Sequence, residues 1–242
     1  MDRRDPMVRL ENVERQFEQG AASFFALRRL SLEVGRGEWL SVMGPSGAGK
    51  STLLAILGLQ DTGWTGGYWL KGEAVHQLPL DARARLRAER IGFVFQSYHL
   101  LDDLTVYENL EVPLAYRDLS RSERAARVAH ALDRFGLAAR RDLRPNQLSG
   151  GQQQLVAVAR ALVGGPSLLL ADEPTGSLHS DQAHEVMQLF RRLHEEGTTI
   201  VQVTHSREVA AWSERVVTLR DGWIVDEPAS RGTSPATATS HS

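Results

Sequence analysis

Apolar and polar positions fall into two rhythms along this chain, and the switches between them mark the elements. Residues 30–34 and 39–43 read as strands on either side of Gly35-Arg36-Gly37, a turn signal. A glycine-rich loop follows Met43, and residues 51–57 open an apolar helix. In the middle of the chain the helical rhythm dominates. Val128, Leu132 and Phe135 recur at helical spacing, Ser120 and Glu123 stand at capping-box spacing ahead of them, and Gly136 suits the stop. Residues 167–171 form a short apolar run of buried-strand type. Val186, Leu189, Phe190 and Leu193 mark an amphipathic helix closed by Gly197, and the β-branched run 199–203 reads as the next strand. Residues 216–219 and 223–225 flank Asp221-Gly222, the signal of a hairpin. Strand–helix–strand alternation predicts an α/β fold with a mainly parallel sheet, into which the helical middle is inserted. Residues 229–242 are mostly Ser, Thr, Ala and Pro with almost no large apolar side chain, so a disordered tail is expected there.

Composition narrows the picture. With 242 residues, 42% hydrophobic and 24% charged, the chain suits a soluble globular protein with one sizeable core, or one core plus a smaller lobe. A net charge of −2 provides no strong field toward nucleic acid, and no nucleic-acid partner is expected. The absence of cysteine excludes disulfides, thiolate catalysis and Cys-ligated zinc. No apolar run approaches the ~20 residues that span a bilayer, and the charged residues 1–5 lead into no signal-peptide core. The chain is therefore expected in the cytosol, with any work at a membrane done through a partner.

Chemistry enters at Gly44-Pro45-Ser46-Gly47-Ala48-Gly49-Lys50-Ser51, followed by Thr52. This is the P-loop pattern, placed between an expected strand and an expected helix. Glycines let the backbone N–H groups curl toward phosphate oxygens, and the helix start adds positive potential. Lys50 supplies a full charge for the β- and γ-phosphates, and the Ser51 hydroxyl can ligate Mg²⁺. Downstream, Asp172 and Glu173 end an apolar strand, where open α/β sheets hold ligands. Asp172 is assigned to the metal and Glu173 to the attacking water. Two acids at a strand end are often ordinary solvated groups; the P-loop upstream favours the catalytic assignment. Trp39, Trp64, Trp69 and Tyr98 are read as packing residues, and the arginines of 81–90 as a solvated helix face.

Leu148-Ser149-Gly150-Gly151-Gln152 resembles the signature motif of ATP-binding-cassette ATPases, and its order after the P-loop and before the acidic strand end matches that family. In the same resemblance, Gln96 looks like the Q-loop glutamine, His205 like the switch histidine, and Phe17 is placed like the aromatic that stacks on adenine. The resemblance covers roughly residues 8–225 and implies a P-loop NTPase with an N-terminal antiparallel β-subdomain and an inserted α-helical subdomain at about 97–160, within an ATPase unit at 1–228. It implies ATP and Mg²⁺ as ligands. Ser51, Gln96 and Asp172 would serve the metal, and Lys50, Gln96, Glu173 and His205 catalysis. It also implies a homodimer in which Ser149, Gly150, Gly151 and Gln152 meet the γ-phosphate held by the other copy. A transmembrane permease, received in a groove lined by about 97–109, and a periplasmic or accessory protein complete the implied partners. The implied position is cytoplasmic, peripheral on the inner face of the cell membrane.

Residues 43–57, 91–96, 100–113 and 170–178 are most similar to the branch of lipoprotein-releasing, macrolide-export and antimicrobial-peptide-export ATPases. That similarity implies an ATPase powering export or extraction. The alternative is an ATPase driving a conformational signal through a membrane partner, as in cell division or cell-wall control. Two positions depart from the family pattern. His179 stands where aspartate is usual, which implies slower or less coupled hydrolysis, and Leu155 replaces a usual arginine.

Overall fold

The computed structural model describes residues 6–19 and 22–226. The expected tail at 229–242 lies outside them. Strands β1 (Val8–Gln19), β2 (Ala22–Val34), β4 (Trp64–Leu70) and β5 (Glu73–Ala74) form an antiparallel sheet in the order β2-β1-β4-β5. A second sheet runs β10-β9-β3-β8-β7-β6, from β3 (Trp39–Met43), β6 (Ile91–Val94), β7 (Leu168–Asp172), β8 (Thr199–Val203), β9 (Arg215–Arg220) and β10 (Trp223–Asp226). Its pairings are parallel except for β10 against β9. The hairpin expected at Asp221-Gly222 forms, with both residues at positive φ (50° and 83°) as a primed turn demands. Central β3 hydrogen-bonds to β8 on one side and β9 on the other, so its neighbours come from late in the sequence.

Two apolar cores flank this arrangement. One joins the antiparallel sheet to α1 (Lys50–Leu57) and includes Leu30, Val42, Leu54, Tyr68 and Leu219. The other gathers Trp39, Leu110, Leu132, Val158, Leu169 and Phe190 beneath the helical region. Each such side chain taken from water contributes roughly 1.5–3 kcal/mol. The apolar stripe expected at Val186, Leu189, Phe190 and Leu193 is buried on α6 (Ser180–Glu195), and Gly197 follows it at φ 93°.

Helices α3 (Val106–Glu111), α4 (Arg121–Arg134) and α5 (Gly150–Leu162) each begin with a reciprocal capping box, at Thr105/Glu108, Ser120/Glu123 and Ser149/Gln152. Buried Asn109 donates to three backbone carbonyls, Leu101, Leu104 and Thr105, and accepts from Leu101 N. That single amide shapes the turn leading into α3. Arg117 binds the end of α2 (Leu80–Arg90) to the end of α5, donating to Ala88 O, Glu89 O and Gly164 O. The last helix among the described residues is α7 (Arg207–Ala210).

The arginines of α2 are exposed or half-buried, and three of them also tie down neighbouring segments. Arg83 donates to Leu78 O and His76 O, Arg87 to Leu59 O, and Arg90 pairs with Glu73. Long side chains lying along the surface satisfy loop carbonyls that end in the core.

Candidate active site

Parallel order places the C-terminal ends of β3, β8, β7 and β6 at one edge of the sheet, and the expected site residues lie in the loops that leave those ends. The P-loop follows β3. A Cβ on Gly44 (φ 155°) would sit 2.1 Å from Leu219 O, and one on Gly49 (φ 102°) 2.3 Å from Ala26 O, so neither position admits a side chain. Ala48 is buried in the core, and its carbonyl accepts from Gly222 N at 3.1 Å. The β9–β10 hairpin thus braces the loop from below. Gly49 is the N-cap of α1 in a left-handed conformation, with no side chain capping the helix. The first N–H groups of α1 therefore lack a side-chain acceptor, the arrangement that receives an anion. Lys50 Nζ donates to Gly44 O and Pro45 O, both at 2.9 Å.

Asp172 closes β7. The Ser51 hydroxyl and the Lys50 charge favour its charged form, but burial and then the neighbouring Glu173 charge outweigh them and raise its pKa above the usual carboxylate value. An under-neutralised carboxylate touching a hydroxyl fits a divalent cation. Among the described residues no three His, Cys, Asp or Glu side chains form a protein-only metal cage. A cation here would draw its other ligands from phosphate and water.

Glu173 has a left-handed backbone (φ 45°), a conformation that costs ~1–3 kcal/mol away from glycine. That turn aims its carboxylate at the end of β8. Oε1 accepts from His205 N at 2.9 Å and lies 2.7 Å from His205 Nδ1, and Oε2 accepts from Thr204 Oγ1 at 3.1 Å. The Glu173 side chain is 15% exposed and the His205 ring 74% exposed, so a fixed carboxylate carries an open imidazole. Thr204 was not marked by the sequence reading; it sits one residue before His205 but carries no motif of its own.

Gln96 lies two residues beyond β6, exposed, with its amide nitrogen close to Gly176. Phe17 stands on β1, stacked on Phe24 with ring centroids 5.7 Å apart, and the Arg15 guanidinium lies 4.0 Å over its ring. Arg15 pairs with Leu27 across β1 and β2, and Leu27 packs against Gly49. That register carries Phe17 toward the P-loop side of the sheet. Ser149 caps α5 by accepting from Gln152 N at 3.3 Å, and Gln152 Oε1 accepts from Ser149 N at 3.0 Å. Gly150 approaches Tyr98 and Leu178, and Gly151 approaches Gln182. The signature thus has neighbours of its own on α6 and in the loops after β6 and β7.

His179 is the N-cap of α6 and makes no side-chain capping bond. Leu155 packs on the helical core and helps line a groove of about 710 Å³ between α5 and α6. Tyr98, expected to be a packing residue, is half-buried but has its hydroxyl 3.1 Å from Ser177 Oγ.

The family model described as ABC transporter matches residues 27–176. The chain is 46% identical over 223 residues to the macrolide export ATP-binding/permease protein MacB 2 of Yersinia pestis, covering 92% of this chain and 33% of that protein. It is 47% identical over 235 residues to MacB of Bradyrhizobium diazoefficiens, covering 97% and 36%. The chain spans about a third of the length of these relatives. Among solved structures, the dimeric ATP-binding cassette MJ0796, in a post-hydrolysis state bound to ADP and Pi, superposes with a TM-score of 0.85 at 40% identity, covering 94% of this chain and all of that one. The cbiO1 subunit from Clostridium perfringens, part of a cbiONQ transporter complex, gives 0.80 at 27% identity, covering 92% and 88%. With the P-loop, acidic strand end and signature arranged as described, the chain belongs to the ABC transporter family, as an ATPase cassette of that family.

Proposed function

We propose that this chain hydrolyses Mg·ATP between two copies of itself and passes the resulting motion to a membrane permease. The observation that carries this reading is the Glu173 carboxylate, fixed by Thr204 and His205 beside the Ser51–Asp172 pair. Phosphoryl transfer needs positioning and charge more than covalent chemistry. The P-loop from Gly44 to Gly49, with Ser51 and Thr52 opening α1, would bind the phosphates. Lys50 would leave its two loop carbonyls for the β- and γ-phosphate oxygens. Asp172, Ser51 and Gln96 would hold Mg²⁺, which supplies charge neutralisation on the phosphates. Glu173 would orient the attacking water, and the exposed ring of His205 would turn to the γ-phosphate. The purine would stack on Phe17 at the face now covered by Arg15, since an aromatic face accepts either a cation or a second ring. Ser149, Gly150, Gly151 and Gln152 of a second copy would close the site over the γ-phosphate.

The ATPase unit would span 1–228 with a helical subdomain at about 97–160. It would work at the cytoplasmic face of a membrane, beside a permease and a periplasmic or accessory protein. The similarity to macrolide export proteins supports export or extraction as the task. The test is Mg·ATP hydrolysis by the chain and by Glu173→Gln, with dimer state followed by light scattering. Hydrolysis should fall by about 10²–10⁴-fold, the usual worth of such a carboxylate, and the variant should be held as a dimer by ATP. A Glu173→Gln variant as active as the parent would sink the reading.

A further inference from the structure

We infer that Tyr98 is a positioning residue that couples Gln96 to the start of α5 through its hydroxyl and a guanidinium clamp from Arg160. This rests on the reading above of a site closed by the signature of a second copy. Tyr98 and His99 both have left-handed backbones, at φ 57° and 49°, an uncommon pairing for two residues with side chains. Arg160, in the last turn of α5, donates to both carbonyls, from Nη1 to His99 O at 2.6 Å and from Nη2 to Tyr98 O at 2.9 Å. The turn after Gln96 is therefore held in its strained form by the same helix that carries the signature at its other end.

The side chain adds a second tie. Ser177 Oγ lies 3.0 Å from Gln96 O and 3.1 Å from the Tyr98 hydroxyl. A serine hydroxyl has one proton, and a carbonyl oxygen only accepts. Ser177 Oγ is the donor toward both oxygens, so its single proton is shared between Gln96 O and the Tyr98 hydroxyl, which accepts. The same hydroxyl would stand 3.0 Å from a Cβ at Gly150, so a side chain on the first residue of α5 would press on it. One phenol thus meets the loop after β7, reaches the Gln96 backbone through Ser177, and touches the signature helix. The Gln96 backbone is tied to Ser177, so a shift of that backbone toward a nucleotide would disturb the Tyr98 contact as well. Movement of the glutamine and presentation of the signature become one event.

The experiment is a double-mutant cycle with Tyr98→Phe and Ser177→Ala in the full chain, reading kcat for Mg·ATP, ADP affinity by fluorescent-nucleotide titration, and Tm. Tyr98→Phe keeps the ring and removes the hydroxyl that accepts from Ser177. It should lower kcat about three- to tenfold, the worth of one hydrogen bond, with ADP affinity and Tm unchanged. Ser177→Ala should cost a similar factor, and the double variant no more than either single. Wild-type kcat in Tyr98→Phe, or losses that simply multiply in the double variant, overturns the coupling. A fall in kcat with a parallel fall in ADP affinity and Tm also overturns it, leaving Tyr98 a packing residue. If the parent hydrolyses ATP and Glu173→Gln does not, a normal Tyr98→Phe removes only this inference; a parent that neither binds nor hydrolyses ATP removes the functional reading as well.

Discussion

The two glycine-rich helix starts of this cassette are built in opposite ways. At α1 the cap is Gly49, which offers no side chain, so the leading N–H groups have no side-chain acceptor. At α5 the cap is Ser149, whose oxygen already accepts from Gln152 N while Gln152 accepts from Ser149 N. An uncapped start gains the whole interaction when an anion arrives; a self-capped start gains only what its own bonds leave over. Affinity would then reside at α1, and α5 would respond only to a phosphate already held by another surface.

The largest expected effect separates those two roles. Lys50→Ala should reduce hydrolysis at least ~100-fold, as losing a charge-stabilising group does, and should weaken ADP binding with it. Ser149→Ala should cost α5 about 1 kcal/mol of stability and slow hydrolysis, yet leave ADP affinity in the single chain within error. Equal weakening of ADP by both variants, measured by calorimetry, would mean that the two helix starts serve one nucleotide within one chain.

A smaller effect is expected at α6, whose cap His179 makes no capping bond. His179→Asp supplies an acceptor. It should add about 1 kcal/mol and raise Tm by ~2–4 °C for a chain of this size, while speeding ATP hydrolysis. An unchanged rate would separate the cap from catalysis.

The smallest effect is on pH dependence. The Thr105 backbone and side chain lower the pKa of Glu108 below its ordinary 4.5, and the Ser120 side chain and backbone lower that of Glu123. A depressed carboxylate contributes stability above its unfolded pKa and loses it as pH falls through the folded one. Acidification below about 4.5 should therefore loosen α3 and α4, while the α5 box, closed by Gln152, does not titrate. Hydrogen exchange across pH 5 to 3 should show that order, and Glu108→Gln with Glu123→Gln should flatten it.

Local signals carried much of this architecture. Ser120 and Glu123 announce α4 because a capping box is complete within four residues. The run from Thr199 to Val203 is β-branched except for Gln202 and buried throughout, and it is a strand. The N-terminal sheet was less legible. Register shifts in β1 and the left-handed Asn12 (φ 47°) break its alternation, and β4 carries Gly66 and Gly67 in mid-strand. The P-loop was readable as a contiguous motif. The bond between Glu173 and His205 was not, because it depends on a left-handed turn at Glu173 and on β8 lying beside β7. Tyr98 read only as a packing residue for the same reason: its hydroxyl partner is 79 residues away.

The bracing of the P-loop by Gly222 and Leu219 has a consequence for biosynthesis. At ~5–20 residues per second, the ribosome finishes the cradle's glycines on the order of ten seconds or more before the hairpin that supports them. Until then β3 lacks its β9 partner, and the loop lacks the contacts that brace it. Nucleotide capture should arrive in a single late step of translation, so a prematurely terminated product would be silent and would not drain ATP.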